Sequence, residues 1–306
     1  MSDTHLGRGD TAVITGAGSG FGLELARLCA QRGMNIVAAD VQADALARAE
    51  KELQSLGAQV LAVRLDVSQA AEVEAMGRAT VERFGAPHLV FNNAGVGAGG
   101  LIWEHTLRDW EWVIGVNVMG VAHGVRVFTP LMLEAAEKDS RYEGHIVNTA
   151  SMAGLVNPPN MGVYNVSKHA VVALSETLYQ DLSLVSEQVH AHVLCPFFVA
   201  TGIHNSGRNR PQALSNPDLK PTRSQLIAQA MTQKAVGSGK VTAEQVAQMV
   251  FDGIRERRFY LYSHPQSLKS VQTRLEDVML GRNPTDPFAE KPQLGQRLRD
   301  AIRAKD

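Results

Sequence analysis

Short stretches rich in β-branched and aliphatic residues alternate with longer helix-like stretches along most of the chain. The first strand is predicted at 11–15, the first helix at about 21–32 and the second strand at 35–40. Further strands are predicted at 59–67, 89–92, 145–150, 190–195 and 259–263. Strands that alternate with helices pair in parallel, because each helix makes the crossover to the next strand. The sequence therefore predicts an α/β fold, with a single doubly wound parallel sheet of seven strands and helices on both faces.

The chain is long enough for one large domain. Its 306 residues, 44% of them hydrophobic, can bury a full core, and we expect a single domain over 1–306. Residues 202–240 contain three prolines and are too long for an ordinary connection, so they are predicted to form a mobile substrate lid. The alternative is a static subdomain that packs on the core. Residues 264–306 are predicted to form a C-terminal helical extension.

Charge and cysteine content restrict the partners of the protein. The formal net charge is −1 at pH 7, which gives no excess positive field for nucleic acid or an anionic membrane. We therefore expect small-molecule partners, with no nucleic acid and no membrane. The two cysteines, Cys29 and Cys195, lie in stretches that look internal, which favours a reducing compartment over a disulfide framework. Residues 1–10 lack an apolar signal core, so a cytoplasmic location is expected.

The first predicted strand leads into a glycine-rich turn, Gly16-Ala17-Gly18-Ser19-Gly20-Phe21-Gly22, that opens directly into a helix. Gly16 permits the tight turn, Gly20 lets backbone N–H groups approach a pyrophosphate, and Gly22 allows close packing of the helix. The helix N-terminus favours the same negative charge. Such a turn can be purely structural, but its strand-turn-helix setting predicts a Rossmann-type dinucleotide site. The predicted cofactor contacts here are Gly16, Gly18, Ser19, Gly20, Phe21 and Gly22.

The second predicted strand ends in Asp40, at the distance from the glycines where a ribose-binding carboxylate belongs. This carboxylate would accept hydrogen bonds from the ribose hydroxyls of NAD and would repel the 2′-phosphate of NADP. Ser19 and Val41, the neighbouring positions where a basic residue would serve that phosphate, are not basic. The sequence therefore predicts NAD as the cofactor, although a carboxylate at a strand end can also belong to an ordinary turn.

Tyr164 and Lys168 lie one helical turn apart in a segment that is predicted as helix, so both side chains project from one face. A free tyrosine has a pKa of about 10, and an ammonium beside it favours the phenolate and lowers that pKa. Ser151, at the end of a predicted strand, would hold a substrate oxygen against the phenol. Together the three residues predict a proton-transfer site, whereas this Tyr-Lys spacing alone is more often a solvated helix face.

With these motifs in this order, the stretch 11–201 resembles the short-chain dehydrogenase/reductase family. The resemblance implies an oxidoreductase that transfers a hydride between NAD(H) and a secondary alcohol or the matching ketone. It also implies a homodimer or homotetramer, paired through the helices around 106–132 and 163–185. The residues that carry the resemblance are Thr15 to Gly22, Asp66, Val67, Asn92 to Gly95, Asn117, Ser151, Tyr164 and Lys168.

The resemblance also implies a role for each residue. Tyr164 would be the general base in oxidation and the general acid in reduction, and Ser151 would orient the substrate oxygen. Lys168 would lower the pKa of Tyr164 and bind the nicotinamide ribose. Asn117 would complete the catalytic set by holding a helix geometry and a water that connect Lys168 to solvent. The further cofactor contacts implied are Asp66, Val67, Asn93, Ala94 and Gly95, together with Tyr164 and Lys168.

The chain departs from the family after the sixth strand, where the family usually has Pro-Gly and this chain has Pro196-Phe197-Phe198-Val199-Ala200-Thr201. Thr201 can still bind the nicotinamide carboxamide, and Pro196 and Val199 are assigned to the cofactor with it. Phe197 and Phe198 would make a bulky, apolar pocket wall. Burial of both phenylalanines in the core is an equally open alternative.

The predicted substrate pocket is closed by 96–103, 152–161 and 202–240, whose contributions are mostly apolar or small. A lidded, apolar pocket favours a bulky, weakly polar alcohol, such as an aryl, alicyclic or steroid-like one. A polyol or sugar dehydrogenase and a catalytically silent NAD-sensing protein are the alternatives. The predicted substrate contacts are Trp103, Met152, Val156, Met161, Phe197, Phe198, Ile203 and His204.

Two histidines have a spacing that is compatible with metal binding. His190 and His192 lie two apart on a predicted strand and could face the same way. No third ligand or cysteine partner accompanies them in sequence, and zinc sites usually need three or four protein ligands. A structural or surface role is therefore predicted for this pair, and no metal is expected.

Overall fold

The structure, a computed structural model, describes residues 6–304. Within these residues, seven strands pair in parallel in one sheet. The strands are β1 (Thr11–Thr15), β2 (Asn35–Asp40), β3 (Val60–Arg64), β4 (Leu89–Asn92), β5 (Gly144–Thr149), β6 (Val189–Cys195) and β7 (Tyr260–Tyr262). Their order across the sheet is β3-β2-β1-β4-β5-β6-β7. The order reverses between β1 and β4, and at such a switch point the carboxyl ends of the strands leave a crevice for a ligand.

Helices cover both faces of this sheet. On one face α1, α2 and α8 pack in a common core, and on the other face α3, α5 and α6 do so. The predicted doubly wound α/β fold is therefore confirmed. The helices are α1 (Gly20–Gln31), α2 (Ala43–Ser55), α3 (Ala70–Phe84), α4 (Leu107–Ile114), α5 (Gly120–Lys138), α6 (Gly162–Val185), α7 (Arg223–Gly237), α8 (Ala243–Arg255), α9 (Leu268–Met279) and α10 (Pro292–Arg303).

The central strand β1 explains why the sequence pattern is so clear. All of its residues are buried, because helices cover both of its faces. Ile14 packs in the core shared with α1 and α8, while Val13 packs in the core that contains Met76 and Phe128. A strand with two covered faces requires an uninterrupted apolar run, and a strand with one solvated face would show alternation.

A π-helical turn at Gly115–Met119 joins α4 to α5 and contains Asn117. Thr106 and Asp109 form a capping box that starts α4. The combined stretch Leu107–Lys138 is long and apolar enough to cross a membrane by length and composition alone. Part of it packs against the sheet through Phe128 and other side chains, and a core helix meets the same criterion.

The 202–240 segment contains two short 3-10 turns, at Gly202–Asn209 and Gln212–Leu214, followed by α7. Arg210 attaches it to α4 through a 2.6 Å ion pair with the buried Asp109. The same segment also contacts the C-terminal helix: α10 packs against α7, and Arg223 Nε donates to the Ala301 carbonyl at 2.6 Å. The segment therefore contacts both α4 and α10, and its mobility stays a prediction.

A histidine cluster lies between β5 and β6, near their amino ends. His145, which the sequence did not connect with the other two, places Nδ1 3.0 Å from Nε2 of His192. Nδ1 of His192 lies 2.7 Å from the carbonyl oxygen of Arg258. Glu143 Oε1 lies 3.5 Å from Nε2 of both His145 and His190. Among residues 6–304 no group of three or more His, Cys, Asp or Glu side chains is placed to hold a metal.

Burial should make this cluster a source of acid sensitivity. Burial lowers the pKa of all three histidines: that of His190 falls to about 4 and that of His192 to about 3, and the pKa of His145 is also below its ordinary value. The unfolded histidines have a pKa of about 6.5, so the unfolded chain binds more protons below that pH. The stability that neutral histidines contribute is therefore complete above about pH 6.5 and is lost as the pH falls towards 4.

We expect the free energy of unfolding to fall steeply between pH 6.5 and 4.5 in denaturant titrations. Each extra proton taken up on unfolding contributes a slope of about 1.4 kcal/mol per pH unit. His192→Gln removes one of these protons and should reduce the slope by up to about 1.4 kcal/mol per pH unit. His123→Gln on α5 is the control, because it lies outside the cluster. An unchanged slope in His192→Gln would show that other groups cause the acid sensitivity.

Candidate active site

A groove runs along the carboxyl ends of the central strands and brings together residues that are far apart in sequence. Of the predicted cofactor contacts, Gly18, Gly22 and Val199 do not line it, and Val199 is buried in the core. The predicted contacts that do line it are Gly16, Ser19, Gly20, Phe21, Asp40, Asp66, Val67, Asn93, Ala94, Gly95, Tyr164, Lys168, Pro196 and Thr201. The roles of all these residues stay predictions, while their arrangement in one groove is a finding.

The glycine turn leaves space that side chains would fill. Gly16 and Gly20 have φ of +69° and +56°, in the left-handed region that favours glycine. A Cβ on Gly22 would lie 2.1 Å from the carbonyl oxygen of Gly16, so no other residue fits there without moving the turn. The turn opens into the N-terminus of α1, where N–H groups lack partners within the helix. This cradle fits the pyrophosphate of a dinucleotide.

Asp40 is held in a fixed orientation beside the turn. Its Oδ2 accepts from Gly18 N and its Oδ1 from Gln42 N, both at 2.9 Å. A Cβ on Gly18 would lie 2.8 Å from Oδ2, which explains why glycine is needed at a position that does not face the groove. The carboxylate therefore faces the groove from a rigid support, as a ribose-binding acceptor requires.

Asn93 connects three strands behind the groove. Its Nδ2 donates to the Thr15 carbonyl at 3.0 Å, and its Oδ1 accepts from Thr149 Oγ1 at 3.3 Å. Thr15 Oγ1 in turn accepts from the Asn93 and Ala94 N–H groups. These contacts join the ends of β1, β4 and β5, so the floor of the groove is rigid.

Tyr164 and Lys168 line one end of this groove, and Ser151, which follows the groove residue Ala150, does not line it. Tyr164 and Lys168 come from consecutive turns of α6, and Ser151 caps a 3-10 turn after β5 by accepting from Ala153 N at 3.1 Å. Ser151 Oγ donates to the Pro196 carbonyl at 3.4 Å, and its hydroxyl lies close enough to the Tyr164 phenol to favour the phenolate and so lower the pKa of Tyr164. Lys168 is only 2% exposed, and its Nζ donates to the Thr149 carbonyl at 2.8 Å. Burial lowers the pKa of Lys168 to about 8.

The pKa of Tyr164 is raised, whereas the neighbouring Lys168 was expected to lower it. Burial raises the pKa of Tyr164, and the nearby Ser151 hydroxyl offsets this only in part. The physical reason is the placement of the ammonium, which is held by Thr149 and lies 5.8 Å from the centre of the phenol ring. The spacing of the motif fixed which face both residues share and did not fix where the ammonium points.

Asn117 links this end of the groove to its surroundings. Its Oδ1 accepts from Val96 N at 2.8 Å, and its Nδ2 donates to the Val96 carbonyl at 2.9 Å and to Ser167 Oγ at 3.0 Å. A Cβ on Gly95 would lie 3.5 Å from Asn117 Oδ1 and 3.6 Å from Lys168 Nζ. Asn117 and Lys168 therefore both lie close to Gly95, and the relay between them that the resemblance implies stays a prediction.

The predicted substrate contacts are less well grouped. Ile203 lines the groove beside Val96, whereas Trp103 is 76% exposed and Phe197 is 45% exposed. Phe197 packs on Phe198 and His264, and Met152 is buried in a core cluster. Val156, Met161, Phe198 and His204 are not among the residues that line the groove, and His204 Nδ1 lies 3.2 Å from the Thr201 carbonyl. Their contact with a substrate stays a prediction.

Residues that the sequence reading missed also lie at the site. Arg208, Asn209 and Ser206 line the groove from the turn that follows Thr201. Ser206 Oγ accepts from Gly97 N at 2.9 Å and so connects this turn to the loop after β4. No short motif marks these residues, because the backbone fold of a proline- and glycine-containing segment decides what they reach.

Comparisons with known proteins agree with this arrangement. A family model described as short chain dehydrogenase matches residues 10–212. A CLA biosynthesis dehydrogenase/reductase of Lactiplantibacillus plantarum is 33% identical over 268 residues, which cover 87% of this chain and 92% of that protein. A 1-deoxy-11-beta-hydroxypentalenate dehydrogenase of Streptomyces exfoliatus is 34% identical over 269 residues, covering 87% of each. A solved structure of a short chain dehydrogenase/reductase from Burkholderia phymatum in complex with NAD is 55% identical, with TM-score 0.89, and covers 94% of this chain and 100% of that one.

Proposed function

The chain belongs to the short-chain dehydrogenase/reductase family and is an oxidoreductase, and from this premise we propose that it transfers a hydride between NAD(H) and a secondary alcohol or the matching ketone. The proposal depends on one observation above all. Tyr164 and Lys168 line the same groove as the glycine turn and Asp40, so a dinucleotide held by the turn would reach the phenol. When bound, the nicotinamide would accept or supply the hydride and, in its oxidised form, would bring positive charge beside that phenol.

Each proposed catalytic residue either transfers a proton or holds another group in position. Tyr164 takes the hydroxyl proton during oxidation and returns it during reduction. Ser151, near the phenol, orients the substrate oxygen and stabilises negative charge that develops on it. Lys168 provides a buried cation next to the phenol, and Asn117 fixes the loop and helix around it. No proton transfer in this scheme requires a metal.

NAD is favoured over NADP by the environment of Asp40. The carboxylate is fixed by two backbone N–H groups and cannot turn away from a 2′-phosphate without losing both bonds. Its charge would repel that phosphate, while its free lone pairs can accept from ribose hydroxyls. The Burkholderia relative, 55% identical, was solved with NAD, which supports the same choice.

Asp40→Ala should weaken the use of NAD and improve the relative use of NADP, because it removes both the ribose acceptor and the repelling charge. We expect the NAD/NADP ratio of kcat/KM to fall by at least about tenfold, the scale of one charge-assisted hydrogen bond. Asp44→Ala, an exposed carboxylate on α2, is the matched control. A parent enzyme that already prefers NADP would overturn the argument from Asp40.

A bulky, weakly polar alcohol is the proposed substrate. Val96 and Ile203 add apolar surface to the groove that Tyr164 lines, and Phe197 and Phe198 follow the carboxyl end of β6. The Streptomyces relative is named for a hydroxypentalenate, which supports a substrate larger than a simple alcohol. We propose 202–240 as a lid over this pocket, and 264–306 as an extension that supports the lid through α10. A cytoplasmic location and a homodimer or homotetramer complete the proposal.

A substrate panel tests the proposed function. Aryl, alicyclic and steroid-like secondary alcohols, together with polyols and sugars, would be incubated with NAD and with NADP while the absorbance of the reduced nicotinamide is followed. Turnover of the apolar alcohols with NAD is expected. Exclusive turnover of polyols would favour the sugar dehydrogenase alternative. NADH binding without turnover of any member would favour the silent NAD-sensing alternative.

A further inference from the structure

Arg208 lies in the cofactor groove without an acidic partner. Of the residues that line the groove, only Lys168 and Arg208 carry a positive charge, and Lys168 lies at the Tyr164 end. In the part of the chain that the structure describes, no carboxylate forms an ion pair with Arg208. A cation that faces a groove and has no protein counter-ion is available to an anionic ligand.

The head group of Arg208 is held in place by its own turn. Nη1 donates to the carbonyl oxygens of Gly202 at 2.8 Å and Asn205 at 2.6 Å. A Cβ on Gly202 would lie 3.0 Å from Nη2, so glycine lets the guanidinium lie against the backbone there. Nε and Nη2 keep their N–H groups, which form the fork that suits a phosphate.

The position of that head group indicates which phosphate it meets. Gly202 directly follows Thr201. The Cβ of Thr201 lies 3.4 Å from the point where a Cβ on Gly20 would be, and Gly20 is the glycine that lets a pyrophosphate approach the turn. It is Asn209, and not Arg208, that reaches towards Asp40, because its side chain accepts a hydrogen bond from Gln42 Nε2. The guanidinium is therefore placed nearer to the middle of the dinucleotide than to its 2′-position.

We propose that Arg208 binds the pyrophosphate of the dinucleotide, and that the 202–209 turn closes over the middle of the bound cofactor through Arg208 and Asn209. The proposal depends on the proposed function, since it needs a dinucleotide in the groove. A phosphate on the 2′-position is the other possible source of the same chemistry. The turn also contacts Gly97 through Ser206, so it connects the two sides of the groove that the proposal has it close.

The test compares ligands that contain different phosphates. Dissociation constants of NADH, NADPH, ADP-ribose and adenosine would be measured for the parent, Arg208→Gln and Arg208→Lys, using nicotinamide fluorescence and competition. We expect Arg208→Gln to weaken NADH, NADPH and ADP-ribose by about tenfold each, to leave adenosine unchanged and to speed NADH dissociation. Arg208→Lys should recover part of the loss, because it keeps the charge without the fork.

Arg141→Gln removes an exposed arginine that precedes the amino end of β5, away from the carboxyl ends that form the groove, and controls for the change in net charge. Equal thermal stability of the variants would show that the fold is intact, since Arg208 is exposed. Loss of NADPH affinity alone would assign Arg208 to a 2′-phosphate and overturn the proposal. Unchanged NADH affinity in Arg208→Gln would overturn it too, whereas a parent that binds no dinucleotide would overturn the proposed function itself.

Discussion

Replacing Tyr164 with phenylalanine should lower kcat by at least about a hundredfold, the scale of general acid and base catalysis. The change removes only the phenol hydroxyl and leaves the buried ring packed as it is. NADH affinity should stay within about twofold, because the glycine turn and Asp40 are untouched. Steady-state kinetics and NADH fluorescence measure the two quantities separately.

The matched control is Tyr179→Phe, which removes a phenol hydroxyl from the exposed side of α6. It should leave kcat within about twofold of the parent. Activity of Tyr164→Phe within about threefold of the parent would remove Tyr164 from the proposed mechanism. A simultaneous loss of NADH affinity would indicate a disturbed groove in place of a missing acid or base.

Lys168→Met should abolish most activity and also stabilise the fold. The ammonium is buried, and its pKa of about 8 lies below the ordinary value for lysine. Because the folded pKa is depressed, the penalty for the charged form is present below pH 8 and disappears as the pH rises towards about 10.4. At neutral pH it amounts to about 3 kcal/mol. Methionine keeps the volume without the charge, and the partner lost is the Thr149 carbonyl.

We expect kcat to fall at least about a hundredfold in Lys168→Met while the midpoint of thermal unfolding rises at pH 7. The gain in stability should shrink at pH 10, where the parent lysine is closer to neutral in both states. Lys51→Met, an exposed lysine on α2, is the control for the change in composition. A lower midpoint would mean that the bond to Thr149 outweighs the buried charge, and parent-like kcat would contradict the catalytic role.

The sheet could be predicted from the sequence almost residue by residue where one signal dominates. The predicted β2 and β4 match the observed Asn35–Asp40 and Leu89–Asn92, because apolar runs between turn residues mark buried parallel strands. The predicted β3 was too long at both ends, since Val60–Arg64 is only partly covered and its pattern continues into the neighbouring loops. Strand ends depend on pairing partners, which a single sequence does not contain.

The candidate site divides in the same way. Residues that follow strands or share a helix face, such as Asp40, Tyr164 and Lys168, were predicted because the fold class fixes where they lie. Arg208 was missed, because its place depends on the path of an irregular turn. His145 was missed as the partner of His192, because only strand pairing puts them together. The predicted direction of the Tyr164 pKa shift was wrong, because the shift depends on burial and on the exact position of Lys168 Nζ.

The contact between α10 and α7 has a practical side for anyone who attaches this protein to a surface or to another protein. A surface or protein that is attached after Arg303 would exert force on α10, and the hydrogen bond between Arg223 and Ala301 would transmit that force to the proposed lid. The glycine turn and Asp40 lie at the sheet, apart from α7 and α10, and would not carry that force. Carboxyl-terminal attachment should therefore act on the part of the site that 202–240 builds, which includes the 202–209 turn, and leave the part that the sheet builds as it is. The choice of attachment point becomes a means of adjusting one half of the site.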